Sequence, residues 1–356
     1  MSLGPLAARV PEALRATAAY HVPKPPAILA KLDANELPYA LPDELRAMIG
    51  AALAEVPLER YPDPQASALR AVVANDLGVG GDQLVFGNGS DELIALLCAA
   101  FAAPRADAPA AVMYPSPSFV YYKLGAIAHG LEPIEIPTDD RFELDEPAIE
   151  HAVAELRPSV VFLALPNNPT GTLWRPDFAL ELAARHRDVV VVADEAYVAY
   201  SGVTVLPELG AHPNLVVLRT LSKIGMAGLR VGFAICAPAL AAVLEKVRPP
   251  YNLSALDQRA AEILLSRGAA WCAARAAEVV AERARLSAGL AAAGLDVFPS
   301  AANLVLVRAP DAAALWQKLA DAGISVRAFG GAGPLANCLR ITVGTPTETD
   351  LILRAL

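Results

Sequence analysis

A single lysine in a glycine-interrupted segment is the most reactive group that this chain offers. Lys223 follows Ser222 directly, and Arg230 comes shortly after it. Lysine is well suited to form a reversible imine with an aldehyde, and serine and arginine are common partners of phosphate groups. These residue types together indicate a site for an aldehyde that also carries a phosphate.

An aspartate ends an apolar run upstream of that lysine. Asp194 follows the apolar residues 189–193, and Tyr197 comes three positions later. Open α/β sheets place ligand-binding groups at the carboxyl ends of their strands. A carboxylate there could hold a protonated pyridine nitrogen while Tyr197 binds the ring hydroxyl oxygen, or it could be a helix N-cap beside a packed tyrosine. Amine, carboxylate and phosphate donors together predict pyridoxal 5′-phosphate (PLP) as the cofactor.

Three more segments lie where a strand pattern passes into a turn or a helix. Ser90 and Asp91 follow Gly-Asn-Gly and open a helix, whose free N–H groups favour an anion, although Ser-Asp-Glu is also an ordinary cap. Asn168, within Pro-Asn-Asn-Pro-Thr-Gly, could donate to the ring hydroxyl oxygen or belong to a plain turn. Phe119 could stack on the ring or be a core residue.

In their order along the chain, these segments resemble the fold-type I PLP aminotransferases, and the similarity extends over residues 20–344. It implies an α/β fold with a large, mainly parallel α/β/α sheet domain and a smaller α+β C-terminal domain. It also implies that the catalytic residues are Lys223, Asp194 and Tyr197. The cofactor-binding residues that it implies are Ser90, Asp91, Phe119, Asn168, Asp194, Tyr197, Ser222, Lys223, Arg230 and Tyr61.

Within that superfamily the chain is most similar to the histidinol-phosphate aminotransferases. The similarity lies in Leu-Asp-Ala-Asn-Glu around Asn35, Arg-Tyr-Pro-Asp-Pro around Tyr61 and Leu-Arg-Ile-Thr-Val-Gly around Arg340. It implies that Tyr61 reaches the cofactor phosphate of the other subunit. The substrate-binding residues that it implies are Tyr20 from the arm of the partner, Asn35, the carboxylate-binding Arg340 and a second arginine, Arg327. For Arg327, an ordinary surface position is the alternative.

This resemblance implies transamination between histidinol phosphate or imidazole acetol phosphate and glutamate or 2-oxoglutarate, in histidine biosynthesis. It also implies a homodimer with sites shared across the interface. Three alternatives remain open on the residues alone. They are an aromatic or broad-range aminotransferase, a PLP-dependent threonine-phosphate decarboxylase, and a protein that keeps PLP without catalysis.

Composition and charge argue against several other classes of protein, among them nucleic-acid-binding and membrane-spanning proteins. The chain has 356 residues, is 55% apolar and carries a formal net charge of −9, which does not favour nucleic-acid binding. No apolar stretch reaches the length of a membrane span, and no secretory signal is visible. The four cysteines are dispersed without a Cys-x-x-Cys pair. We therefore expect a cytoplasmic protein that binds small molecules, with no metal site.

Alternating apolar strand and helix patterns predict a mainly parallel sheet. The strand patterns cover residues 83–86, 110–114, 159–165, 189–193 and 215–218, and helical patterns cover 45–53, 66–77, 91–101 and 118–126. A proline-rich tract at 248–252 precedes a long helical stretch at 255–293. We predict an N-terminal arm at 1–43, a large PLP-binding domain at 44–250 and a small C-terminal domain at 251–356.

Overall fold

The computed structural model describes residues 4–16, 28–104 and 108–356. Its strands are β1 (Ala30–Leu32), β2 (Leu84–Asn88), β3 (Ala111–Ser116), β4 (Glu132–Pro137), β5 (Val160–Ala164), β6 (Val190–Asp194), β7 (Leu215–Thr220), β8 (Val231–Cys236), β9 (Asp296–Val297), β10 (Leu304–Arg308), β11 (Ile324–Ala328) and β12 (Cys338–Thr342). Its α-helices are α1 (Glu12–Arg15), α2 (Asp43–Ala54), α3 (Ser67–Leu77), α4 (Gly89–Ala100), α5 (Val120–Ala128), α6 (Glu146–Leu156), α7 (Pro176–Arg185), α8 (Val198–Ser201), α9 (Pro238–Val247), α10 (Ala255–Arg267), α11 (Ala269–Ala292), α12 (Ala312–Asp321) and α13 (Pro346–Ala355).

The larger sheet has the strand order β2-β8-β7-β6-β5-β3-β4. Strands β3 to β7 run parallel to one another, and β8 is antiparallel to both β7 and β2. Every residue of β5 and β6 is buried, as expected for strands covered by helices on both faces. The α/β fold with a large, mainly parallel sheet is therefore confirmed.

Parallel pairing brings the carboxyl ends of the central strands to one edge of this sheet. Ala164 of β5 pairs with Asp194 of β6, and Asp194 pairs with Leu218 of β7. Thr220, which ends β7, therefore lies near the same edge. The groups that follow these strands consequently converge, although long stretches of sequence separate them.

The smaller sheet has the order β1-β11-β12-β10-β9 and its own buried core. Strand β1 joins it parallel to β11, and Leu32 of that strand is fully buried. A strand of the smaller sheet therefore lies within the segment predicted as an arm. Within the described residues, no helix is both long and apolar enough to cross a bilayer.

The helical stretch predicted at 255–293 is two helices, α10 and α11, separated at Gly268. A Cβ atom at Gly268 would lie 2.8 Å from the carbonyl oxygen of Leu264. Buried residues of α10 belong to the core of the larger sheet, whereas Val279 and Leu286 of α11 belong to that of the smaller sheet. The divisions at 43/44 and 250/251 stay predictions.

Candidate active site

The carboxyl edge of the larger sheet borders a cavity of about 210 Å³. Its wall combines the ends of β5, β6 and β7 with the start of α4 and with residues of the smaller sheet. The structure brings together most of the predicted site residues here. The cavity is lined by Ala34, Asn35, Ser90, Asp91, Phe119, Tyr122, Ala164, Pro166, Asn168, Asp194, Ala196, Tyr197, Thr220, Ser222, Lys223, Arg230 and Arg340.

Asp194 is a buried carboxylate held by two hydrogen bonds. The Tyr122 hydroxyl donates to its Oδ2 over 2.7 Å, and the Ala196 backbone N–H donates to its Oδ1 over 3.1 Å. Burial raises the pKa of Asp194 to about 6, although both hydrogen bonds act in the opposite direction. A cation entering the cavity beside this carboxylate would therefore be stabilised, because it would compensate a buried negative charge.

Lys223 lies in a short 3₁₀ turn immediately after β7. The Tyr200 hydroxyl donates to its backbone carbonyl, and its Nζ lies 5.7 Å from the centre of the Tyr197 ring. Burial and the positive charge of Arg340 lower the pKa of Lys223 to about 8. A larger fraction of this amine is therefore neutral, and so nucleophilic or basic, than at an exposed lysine.

The hydroxyl of Tyr197 is held by a residue of the N-terminal segment. Asn35 Nδ2 donates to it over 2.8 Å, and the Asn35 backbone N–H donates to Thr342 Oγ1 over 2.9 Å. Burial raises the pKa of Tyr197 to about 12, so its phenol keeps its proton. Asn35 therefore positions Tyr197, in addition to lining the cavity.

Ser90, Asp91, Ser222 and Arg230 form one end of the cavity. Arg230 donates to Ser222 Oγ over 3.1 Å and to Asp91 Oδ2 over 2.8 Å. The Asp91 carboxylate is thus paired with a guanidinium, and its backbone N–H lies in the first turn of α4, where such groups favour an anion. The Glu92 carboxylate instead accepts hydrogen bonds from the Asn88 backbone and from the Asn252 side chain.

Close backbone packing shapes this end of the cavity. A Cβ atom at Gly89, where φ is +77°, would lie 2.5 Å from Arg230 Nη2. A Cβ atom at Gly232 would lie 2.7 Å from the carbonyl carbon of Gly89 and 2.8 Å from the backbone nitrogen of Ser90. Glycine at both positions is therefore what lets β8 and Arg230 approach the start of α4.

Asn168 and Arg340 meet across the cavity from different sheets. Arg340 is buried and donates to Asn168 Oδ1 over 2.7 Å and to the Asp33 carbonyl over 2.6 Å. These contacts hold the guanidinium beside Lys223. Phe119 lines the wall and packs edge-on against Tyr122, with ring centres 5.7 Å apart.

A second cavity, of about 700 Å³, shares Asp91, Phe119, Asn168 and Arg340 with the first. Arg327 lines only this second cavity. It pairs with Arg340 in the register of the antiparallel strands β11 and β12, so both side chains lie on the same face of the sheet. The two arginines therefore belong to one continuous binding region.

Two predicted site residues are not part of this cavity. The Tyr61 side chain is 80% exposed and stacks on Tyr251, with ring centres 4.7 Å apart. Tyr20 lies outside the described residues. Sequence reasoning also missed Tyr122, the hydrogen-bond donor to Asp194. Its position three residues after Phe119, which immediately precedes α5, is the signal that would have indicated it.

Comparison with known proteins identifies the family. A sequence model described as "Aminotransferase class I and II" matches residues 27–356. The chain belongs to this family.

Among relatives of this aminotransferase, "Histidinol-phosphate aminotransferase" of Chromobacterium violaceum is 44% identical over 96% of this chain and 95% of its own length. "Histidinol-phosphate aminotransferase 2" of Bordetella parapertussis is 45% identical over 96% of this chain and 94% of its own length. A solved structure of histidinol-phosphate aminotransferase from Sinorhizobium meliloti, in complex with pyridoxal-5′-phosphate, has a TM-score of 0.83 and 25% identity, covering 98% of this chain and 96% of that one.

The buried Asp194 carboxylate should reduce the stability of this aminotransferase when no ligand compensates it. Because its pKa rises from 3.8 to about 6 on folding, the ionised group costs up to about 3 kcal/mol above pH 6 and nothing below pH 3.8. We expect Asp194→Asn to raise the free energy of unfolding of the ligand-free protein at pH 8, by up to about 3 kcal/mol. The gain should disappear near pH 4.

Urea denaturation at pH 8 and at pH 4 measures this difference. Asp76→Asn, which changes an exposed aspartate of α3, is the matched control and should alter stability little at either pH. An Asp194→Asn variant that is no more stable than the wild type at pH 8 would contradict the account of a destabilising buried charge.

The close approach of Gly232 to the start of α4 should make this position intolerant of a side chain. We expect Gly232→Ala to lower the free energy of unfolding by about 1–3 kcal/mol, because the contacting atoms belong to backbone that cannot rotate away. Gly228→Ala is the matched control, since its Cβ would meet no described atom within 4 Å. Chemical denaturation of both variants tests the difference, and equal stabilities would refute it.

Proposed function

We propose that this aminotransferase transfers an amino group between histidinol phosphate and 2-oxoglutarate, giving imidazole acetol phosphate and glutamate. The names of relatives that are 43–45% identical support this substrate pair. The structural observation that carries it is the pair of arginines, Arg327 and Arg340, in the cavity region beside Lys223. Both substrates carry anionic groups that a guanidinium can bind.

The cofactor of this chain is PLP, and the cavity residues fit it. The phosphate could be bound by Ser90, Ser222, Arg230 and the Asp91 backbone N–H. The buried negative charge of Asp194 is suited to the protonated ring nitrogen. Asn168 and Tyr197 can hold the ring hydroxyl oxygen, and Phe119 can cover one face of the ring. Bound there, PLP supplies an electron-withdrawing ring that acidifies the Cα–H bond of an amine substrate.

Lys223 would hold the cofactor and then move a proton at the substrate Cα. Its burial, together with the charge of Arg340, favours the neutral amine that a base requires. Asp194 would keep the ring nitrogen charged, because the carboxylate is ionised most easily when a cation compensates it. Tyr122 and Ala196 would orient Asp194 through their hydrogen bonds.

Arg340 and Arg327 would bind the phosphate of histidinol phosphate in one half-reaction and the carboxylates of glutamate in the other. The planar guanidinium fork suits either group. Arg340 is fixed by Asn168 and by the Asp33 carbonyl, so its direction is set before the substrate arrives. A pre-oriented donor loses less conformational entropy on binding.

A homodimer would account for the position of Tyr61. This side chain is 80% exposed and stacked on Tyr251, away from the cavity of its own chain. We propose that Tyr61 reaches the cofactor phosphate in the partner subunit and that Tyr20 enters the site of the partner. A cytoplasmic location remains a prediction of the sequence.

Replacing the amine tests the role of Lys223 directly. We expect Lys223→Ala to lower the rate of glutamate formation by about 100-fold to 10,000-fold, because a positioned general base contributes that much to the rate. Lys246→Ala, at an exposed position near the end of α9, is the matched control and should keep the wild-type rate. A Lys223→Ala variant within tenfold of the wild type, with no amine added, would refute the assignment.

A panel of amine donors tests the substrate. With 2-oxoglutarate as acceptor, we expect histidinol phosphate to give the highest kcat/KM, ahead of phenylalanine and tyrosine. Arg327→Met should raise the KM for histidinol phosphate about tenfold to hundredfold, because a charged hydrogen bond to the phosphate is lost. Arg267→Met, at an exposed position at the end of α10, is the control.

The panel also distinguishes the alternatives. Preference for phenylalanine, with no effect of Arg327→Met, would favour an aromatic or broad-range aminotransferase. Carbon dioxide released from O-phosphothreonine, without formation of a keto acid, would favour a threonine-phosphate decarboxylase. A PLP absorbance band that no amine converts would favour a protein without catalysis.

A further inference from the structure

The wall of the second cavity includes a polar group that the roles assigned so far do not use. Tyr114 and Ser116 belong to β3, and Glu135 belongs to the parallel neighbour β4. Tyr114 pairs with Glu135 in register, and Ser116 lies two positions further along β3. All three side chains therefore lie on the same face of the sheet and line the cavity.

The hydroxyl of Tyr114 has no hydrogen-bond partner among the residues that the structure describes. The residue is only 3% exposed. Buried polar atoms are nearly always paired, and an unpaired one costs about 1–3 kcal/mol. Tyr114 belongs to the cavity wall, and although its hydroxyl oxygen has almost no accessible surface, a small rotation of the side chain would let a ligand in the cavity pair with it.

Tyr114 also lies close to the catalytic residues. Its ring centre is 5.9 Å from that of Tyr122, whose hydroxyl donates to Asp194. The second cavity shares Phe119, Asn168 and Arg340 with the first. A substrate bound at Arg340 with its amine toward Lys223 can therefore extend into the space that Tyr114 borders.

Glu135 places a negative charge near the Tyr114 hydroxyl. It accepts hydrogen bonds from Ser116 Oγ over 2.8 Å and from Lys123 Nζ over 2.6 Å. Burial acts to raise the pKa of Glu135, but these hydrogen bonds lower it overall, so the carboxylate is ionised. Burial and the charge of Glu135 both raise the pKa of Tyr114, so its phenol keeps a proton to donate.

We infer that the Tyr114 hydroxyl binds a nitrogen of the imidazole ring of the substrate and selects histidinol phosphate over amines without such a ring. This inference rests on the proposed function. The central carbon of that substrate carries an amine, a phosphate-bearing arm and an imidazole-bearing arm. Lys223 and the arginine pair account for the first two groups, and the third requires a hydrogen-bonding partner within a mostly apolar space.

The surrounding side chains suit the faces of such a ring. Val120, Leu124, Phe329 and Leu335 also line this cavity and provide apolar surface. A phenyl ring would fill the same space but would leave the Tyr114 hydroxyl unpaired. A site that forms a hydrogen bond to one substrate group discriminates against an analogue without that group, because the polar group of the site is then left unpaired.

Tyr114→Phe removes the hydroxyl and keeps the ring, so it tests this inference. We expect kcat/KM for histidinol phosphate to fall on the order of tenfold, the effect of one lost hydrogen bond. The half-reaction of the holoenzyme with glutamate, which has no imidazole, should stay within about twofold of the wild-type rate. Tyr39→Phe, at a tyrosine that lines neither cavity, is the matched control and should leave both reactions unchanged.

The outcomes separate the inference from the function on which it rests. If the wild-type enzyme does not transaminate histidinol phosphate, the proposed function fails and the inference falls with it. If the wild type does so and Tyr114→Phe is unaffected, only the inference is overturned. An equal loss with histidinol phosphate and glutamate would also overturn it, because Tyr114 would then act through Tyr122 on the common catalytic residues.

Discussion

Two ionisable groups are kept out of water at the ends of neighbouring strands, and the chemistry of the site depends on this burial. Asp194 ends β6, and Lys223 follows β7, its parallel neighbour. Burial raises the pKa of the carboxyl to about 6 and lowers that of the amine to about 8. Each group is thereby moved toward its neutral form, and a cofactor that brings a cation to one and an aldehyde to the other relieves both penalties.

The smaller sheet contributes residues that contact the site at the edge of the larger sheet. Arg340 of β12 reaches Asn168, and Asn35, which follows β1, holds the hydroxyl of Tyr197. Thr342, also of β12, binds the backbone of Asn35. Residues on or next to this small sheet thus supply Arg340 and hold Tyr197 near Lys223, so the packing of this sheet against the larger one shapes the candidate site.

The fold was predictable where strands are buried and apolar, and less so elsewhere. β5, β6 and β7 follow from short runs of branched residues, because a strand covered on both faces must be apolar throughout. β4 was not predicted, since it contains two prolines and has no buried residue, as suits a strand at the edge of a sheet. β1 was not predicted either, because three residues are too few to show a periodic pattern and their pairing partner, β11, is distant in the sequence.

The amino-acid sequence alone determined which reactive groups this protein carries and their order along the chain. Lys223, Asp194 and Arg230 are recognisable because residue type limits chemistry and because apolar runs reveal where strands end. Only the tertiary structure decided which groups meet. The hydrogen bond from Tyr122 to Asp194 and the one from Asn35 to Tyr197 depend on helix rotation and on the register between distant strands. So does the lack of a partner for the Tyr114 hydroxyl among the described residues. Local periodicity reports which face of an element is buried, but a hydrogen-bond partner is chosen by contacts that the whole folded chain makes.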